Sequence, residues 1–212
     1  MTPLSGGRRT RAVIFDVGNV LYDWNLRQFF EKLVPAHELE LFLRDVVNLN
    51  WHGQHDAGRP FAETSAELIA AWPRFADAIA AFGPRFAETV TGLLPGMGAI
   101  VHDLHAHGVP LFAITNFSHE FWPPFRAREA AIFDLFADIL VSGEVRLIKP
   151  DPAIYVMALD RFGLGPAEAI FIDDRADNVA AAEALGIAGH LFAGAGPLRA
   201  ELERLGLLRN RL

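Results

Sequence analysis

Three short apolar runs in this chain each end in residues that can do chemistry. Ala12-Val13-Ile14-Phe15 runs into Asp16, Val109 to Ile114 into Thr115-Asn116, and Ala169-Ile170-Phe171-Ile172 into Asp173-Asp174. Lys149-Pro150-Asp151 lies between the last two. If the runs are parallel strands of one sheet, their polar ends converge on one edge, where open α/β sheets build their sites. Three carboxylates brought together repel one another unless a divalent cation joins them, and hard oxygen ligands select magnesium. A hydroxyl, an amide and a lysine beside that cation make a site the size of a phosphate. Asp16 taken alone reads first as a turn cap, and the rest of the chain changes that. Gly18 is expected to let the backbone turn sharply just beyond it.

The elements that must position these groups follow from the hydrophobic pattern. Uninterrupted apolar runs read as buried strands. Besides the three above, Ile139-Leu140-Val141 reads as a short strand and His190-Leu191-Phe192 as a last one. Helices alternate with them. Met97, Ile100, Val101 and Leu104 keep helical spacing up to Gly108, and Asp151-Pro152 starts a helix continued by Ile154, Tyr155, Ala158, Leu159 and Phe162. The alanine-rich segment from Ala180 to Ala184 is a helix that can lie close to a sheet, ended by Gly186, and Leu198 to Leu205 is a last helix. This alternation predicts a parallel sheet covered on both faces. Between the first strand and the rest, from about Leu21 to Leu94, no strand-like run occurs, so the stretch reads as helices with a break at Gly83-Pro84. Its middle, Trp51 to Pro60, is polar and glycine-rich and reads as a loop.

Composition limits the function. The 212 residues suffice for one large domain or a domain with a sizeable insertion, and 51% of them are hydrophobic. A net charge of −7 argues against sequence-independent nucleic-acid binding, though not against a small anionic substrate. The absence of cysteine excludes thiol catalysis, disulfides and Cys-ligated zinc. No run is long and apolar enough for a transmembrane helix. Met1 to Arg11 is basic without a following apolar run; it reads as a frayed tail rather than a secretory signal, and a cytoplasmic location is expected.

With the motifs in order, the chain resembles the haloacid dehalogenase-like (HAD) superfamily. The matching pieces are Phe15-Asp16-Val17-Gly18-Asn19-Val20-Leu21, Ile114-Thr115-Asn116, Lys149-Pro150-Asp151-Pro152 and Phe171-Ile172-Asp173-Asp174. The resemblance covers nearly the whole chain. It implies an α/β fold with a Rossmann-like parallel sheet core (residues 1–20 and 95–212) and an inserted helical cap (residues 21–94) that closes over the site. It also implies roles. Asp16 would attack phosphorus and form an aspartyl-phosphate that water hydrolyses. Mg²⁺ would be held by Asp16, by the Gly18 carbonyl, by Asp174 directly and by Asp173 through water, with Asn178 orienting that shell. Thr115 and Asn116 would hold the phosphoryl oxygens, and Lys149 would neutralise charge on Asp16 and the phosphoryl group. The substrate would be a small phosphate ester.

The chain also departs from the family. Most of its phosphatases carry a second Asp two residues after the nucleophile, which protonates the leaving oxygen; here Gly18 stands there. A missing general acid costs about 10²–10⁴-fold. Three explanations are open: a good leaving group such as an anomeric hydroxyl, a proton supplied from the cap by His52 or His55, or poor catalysis. Asp16-Val17-Gly18-Asn19-Val20, Phe121-Trp122-Pro123 and Asp173-Asp174-Arg175-Ala176-Asp177-Asn178 are most similar to the subgroup of α-D-glucose-1-phosphate phosphatase-like proteins, which points to a sugar phosphate. A 2-haloacid dehalogenase shares Asp16 and Lys149-Pro150-Asp151, but Asp173-Asp174 would repel a substrate carboxylate. A catalytically weak binding protein is the other alternative.

Other features carry less. His102, His105 and His107 have a metal-like spacing but fall on a face expected to be solvated. Asp56 and Arg59, like His52 and His55, read as exposed polar loop residues or as substrate contacts, Trp24 and Trp51 as packed or lining a cleft. His119 and Glu120 follow the second motif closely enough to reach the site. Phe121 to Phe125 reads as a packed turn or a partner surface.

Overall fold

The computed structural model describes residues 10–209. The expectation of a frayed tail at Met1 to Arg11 falls mostly outside them. The described residues form seven strands: β1 (Ala12–Phe15), β2 (Tyr22–Trp24), β3 (Val90–Leu93), β4 (Leu111–Thr115), β5 (Asp138–Val141), β6 (Ala169–Asp173) and β7 (Ala188–Leu191). Between β2 and β3 lie helices α1 (Leu26–Phe30), α2 (Ala36–Leu41), α3 (Leu49–Asp56), α4 (Phe61–Ala71) and α5 (Ala76–Phe82). The rest of the chain adds α6 (Met97–Ala106), α7 (Trp122–Arg128), α8 (Ala130–Phe133), α9 (Ser142–Val145), α10 (Pro152–Phe162), α11 (Ala176–Ala184) and α12 (Ala195–Arg204).

Five strands form one parallel sheet in the order β5-β4-β1-β6-β7. β1 is central because both of its faces are apolar, and all four of its residues are buried. Side chains alternate across the sheet. Val13 and Phe15 join a cluster with Met97, Ile100 and Val101 of α6 and Leu198 and Leu202 of α12. Ala12 and Ile14 join the opposite cluster, with Ile154, Tyr155 and Ala158 of α10 and Ala182 of α11. The alanines of α11 let it approach the sheet closely, and Gly189 in β7 completes that approach. A Cβ at Gly189 would stand 2.6 Å from Val179 Cγ1. Asp151 caps α10 as expected, accepting from the Ala153 amide at 2.9 Å.

The stretch from Leu21 to Leu94 corrects two expectations. It is helical, but not free of strands: β2 and β3 pair antiparallel at its two ends. The segment from Trp51 to Pro60 is no loop. Its first six residues belong to α3, capped by Asn48, whose side chain accepts from the Trp51 amide at 3.1 Å. The turn after Asp16 uses a different residue too. Asn19 takes the left-handed conformation (φ 56°), while Gly18 does not. Aromatic rings pack the insertion, with Phe42 4.9 Å from both Phe30 and Phe75. This packing is continuous with the cluster on the β1 face that carries Val13 and Phe15. Phe121, Trp122 and Phe125 are buried there as well, but as the opening of α7 rather than as a turn. No helix among the described residues is long and apolar enough to cross a membrane.

Candidate active site

Asp16 leaves β1 between the ends of β4 and β6, its amide bonded to the Ile172 carbonyl at 2.8 Å. Its Oδ1 accepts from the Val17 amide at 2.7 Å and lies 2.8 Å from Lys149 Nζ. The same ammonium donates to Asp173 Oδ2 at 2.7 Å. Asp173 is fully buried and accepts further bonds from the Arg175 amide at 2.9 Å and from Asn178 Nδ2 at 3.0 and 3.1 Å. A buried carboxylate needs this many partners to stay charged. Asn116 closes the arrangement from β4. Its amide donates to the Lys149 carbonyl at 3.0 Å and its Oδ1 accepts from the Lys149 amide at 2.8 Å. It thereby holds the loop that presents the lysine, whose bond to Pro150 is cis.

The charges respond to this packing. Burial pushes the Asp16 carboxyl up, Lys149 opposes and Asp173 adds, leaving it at about 7. Burial pulls the Lys149 ammonium down, but the two carboxylates and their hydrogen bonds outweigh it, and the net shift is upward. Asp174 is half-buried, and burial followed by the charge of Asp173 raises it. Carboxylate oxygens of Asp16, Asp173 and Asp174 all lie within 4.8 Å of one another.

Asp16 and Lys149 face a cavity of about 640 Å³, while Asp173 lies buried behind them. Gly18, Asn116, Asn178 and Asp174 also line it, whereas Thr115 is buried at the end of β4 and does not. The opposite wall comes from the insertion and the residue that caps α7: Trp24, His52, Phe82, Phe86 and Phe121. His52 and His55 lie on α3, buried, rather than on an exposed loop. Burial, helped by the charge of His55, drives the His52 imidazole down to about 3. Burial, helped by Arg59, drives His55 to about 4. Both are neutral near pH 7, and His55 Nε2 is taken by the Thr64 hydroxyl at 2.6 Å. Trp51 is packed, its indole donating to the Thr64 carbonyl at 3.3 Å. Glu120 binds the Phe61 amide at 2.7 Å and does not line the cavity, nor does His119. His102, His105 and His107 are exposed.

Asp56, open in the sequence between an exposed loop residue and a substrate contact, faces the site. It ends α3 and lines the cavity, and burial, then the charge of Asp16, pushes its carboxyl up to about 7. The polar composition around it hid this position.

A model of the haloacid dehalogenase-like hydrolases matches residues 10–186. The chain belongs to that family, and it is a hydrolase. It is 28% identical over 188 residues to the sesquiterpene phosphatase astK of Aspergillus oryzae, covering 84% of this chain and 88% of that protein. It is 29% identical over 207 residues to the acyl-CoA dehydrogenase family member 10 of Mus musculus, covering 86% of this chain but only 18% of the mouse protein. A Yersinia pestis phosphoglycolate phosphatase is 32% identical over 135 residues, 62% of this chain and 54% of that one. Among solved structures, a HAD family enzyme from Bacteroides thetaiotaomicron superposes with a TM-score of 0.72 at 18% identity, covering 92% and 98% of the two chains. The same enzyme in complex with magnesium and inorganic phosphate superposes at 0.64 with 20% identity, covering 88% and 96%. The structural likeness shows the fold, and the sequence relatives of this hydrolase include phosphatases.

Proposed function

We propose that this hydrolase is a magnesium-dependent phosphomonoesterase in which Asp16 is the nucleophile. The observation that carries the reading is Asp16 itself. One carboxylate oxygen is fixed by Lys149 and the Val17 amide, and the group meets Asp174 at the edge of a cavity large enough for a small ester. A metal fits the donor set. Asp16, Asp174 and the Gly18 carbonyl would hold it, with Asp173 acting through water. Asn178 Oδ1 is buried without a partner, beside a carboxylate that already takes both bonds from its amide nitrogen. A metal-bound water is the donor that atom lacks. When bound, the cation would polarise a phosphoryl oxygen and shield the developing charge.

The chain's own residues do the rest. Lys149 favours the ionised form of Asp16 against its burial and aims it. Asp16 attacks phosphorus to give an aspartyl-phosphate, which water hydrolyses. Residues 21–94 act as the cap that closes this space. The far wall bears on the substrate: Trp24, Phe82, Phe86 and Phe121 give it an aromatic surface opposite the charged strand ends. We therefore read the substrate as a phosphate ester with an apolar or aromatic body, in place of the glucose-1-phosphate-like ester expected from sequence. A 2-haloacid dehalogenase also needs Asp16 and Lys149, but Asp174 would oppose its substrate carboxylate.

The test is phosphate release from a panel of aryl, alkyl, anomeric and 6-phosphate sugar esters, with Mg²⁺ and then with EDTA. Metal-dependent release is expected, fastest for the apolar esters. Asp16→Asn should lower kcat by about 10⁴-fold or more while the far-ultraviolet circular dichroism is unchanged. Near-parental turnover by this variant would remove Asp16 from the chemistry.

A further inference from the structure

An alcohol is a poor leaving group, and expelling it as an alkoxide from phosphorus at neutral pH calls for a proton donor. The groups that line the cavity narrow the choice. Lys149 is bound between two carboxylates that raise its proton affinity. Arg175 is paired with Asp177 at 2.7 Å. His52 and His55 carry no proton to give near pH 7. Burial drives the Tyr22 phenol well above its ordinary value. Three carboxyl groups line the cavity, Asp16, Asp56 and Asp174, and the first and last belong to the nucleophile and metal positions. Gly18 offers no side chain.

We infer that Asp56, reaching across from the insertion, is the general acid and base of this site. The inference rests on the phosphomonoesterase reading. Asp56 is held where the role needs it. Its carbonyl accepts the Ser142 hydroxyl at 2.6 Å, and that hydroxyl oxygen accepts the Phe117 amide at 2.9 Å, next to Asn116. Two residues on, Gly58 lies so close to the start of α9 that an added Cβ would stand 2.9 Å from the Gly143 carbonyl. The end of α3 is thus stitched to the loop after β4 and to the start of α9. The carboxyl itself makes no hydrogen bond or ion pair among the described residues, yet it feels the charges of both Asp16 and Lys149. Its raised proton affinity fits a donor.

In the first step the bond from Asp16 to phosphorus forms and the ester P–O bond breaks. The Asp56 carboxyl passes its proton to the departing alkoxide, giving neutral alcohol and the Asp56 carboxylate. In the second step that carboxylate takes a proton from the water that attacks phosphorus. Phosphate leaves, Asp16 is restored and Asp56 is again protonated.

The test compares two esters of similar ring size in the Mg²⁺-loaded enzyme. p-Nitrophenyl phosphate releases a stable phenolate, and benzyl phosphate must release an alkoxide. Asp56→Asn should lower kcat/KM for benzyl phosphate by about 10²–10⁴-fold and that for p-nitrophenyl phosphate by less than about tenfold. kcat/KM stops at the first irreversible step, so slower hydrolysis of the aspartyl-phosphate does not mask the difference. Asp56→Glu, which keeps a carboxyl, should recover at least about tenfold of the benzyl phosphate activity. Equal losses on both esters, or equal losses in the Asn and Glu variants, would overturn the assignment by making Asp56 structural. Unchanged kcat/KM would overturn it as well. A parent enzyme inert toward both esters would fell the phosphomonoesterase reading itself, and this one with it.

Discussion

The floor of the cavity and its far wall are built on opposite principles. On the floor, at the strand ends, polar atoms are tied down. Lys149 bridges Asp16 and Asp173, Asn178 and the Arg175 amide complete Asp173, and Asn116 clasps the Lys149 backbone. The wall is held by ring packing. His52 sits 5.4 Å from Trp24 and 5.0 Å from Phe82, and Phe86 stacks on Phe121 at 4.7 Å. Its polar atoms are left over: His52 Nε2 and Trp24 Nε1 are buried without partners. The floor resists reorganisation when charge moves, which is what a fixed phosphoryl site requires. The wall is adaptable apolar surface, which suits a substrate body.

The largest expected effect breaks the floor. Lys149→Met removes the one ammonium between two carboxylates of which Asp173 is fully buried. An uncompensated buried charge costs about 3–5 kcal/mol. Urea denaturation of the metal-free protein should show that loss, with a second substitution, Asp173→Asn, returning part of it. A Lys149→Met protein as stable as its parent would mean that the floor is not held by charge pairing.

The wall's imidazoles should respond to pH with opposite sign to the carboxyls of Asp16 on the floor and Asp56 at the end of α3. Asp16 and Asp56 have folded pKa values of about 7, above their ordinary carboxylate value, so the folded protein binds protons there that the unfolded chain does not. Their contribution grows as pH falls from 7 toward 4. His52 and His55 are depressed to about 3 and about 4, so the folded protein keeps them neutral while the unfolded chain protonates below about 6.5. Their contribution is complete above about 6.5 and is lost as pH falls toward 4. His52→Leu should therefore gain stability relative to the parent by about 1.4 kcal/mol per pH unit between about 6 and 4.5. Melting both proteins in EDTA across that range isolates the difference, and a pH-independent offset would show that His52 is not held neutral.

The same contrast decides what the sequence could reveal. β1, β4 and β6 are runs of four or five fully buried residues, and their polar ends fall on one edge by topology alone, so Asp16, Asn116, Asp173 and Asp174 were legible. The lysine was legible as a type in a motif, but its clasp by Asn116 spans 33 residues and leaves no local mark. The wall was misread for physical reasons. β2 and β3 are three and four residues long, contain Asp23 and Gly92, and are joined by a pairing with a register shift across the whole insertion. α3 carries His52, Gly53, Gln54 and His55, a composition of loops. It is helical because Asn48 caps it and because its rings bury against Phe82 and Phe61. Tertiary packing overrode propensity there. Asp56 went with it, since its tether to Ser142 joins residues 86 apart.

The smallest expected effect separates the two surfaces by substrate rather than by stability. Phe86 is partly buried, lines the cavity and stacks on Phe121 with the rings 17° from parallel. Phe86→Leu keeps an apolar side chain but removes the stacked face, worth about 0.5–1.5 kcal/mol. If the wall holds the body of the ester, KM for benzyl phosphate should rise about 2–10-fold with kcat little changed. Product inhibition by inorganic phosphate, which engages only the floor, should stay as it is. A matching rise in the inhibition constant for phosphate would mean that Phe86 shapes the charged site instead, and that floor and wall are not separate surfaces.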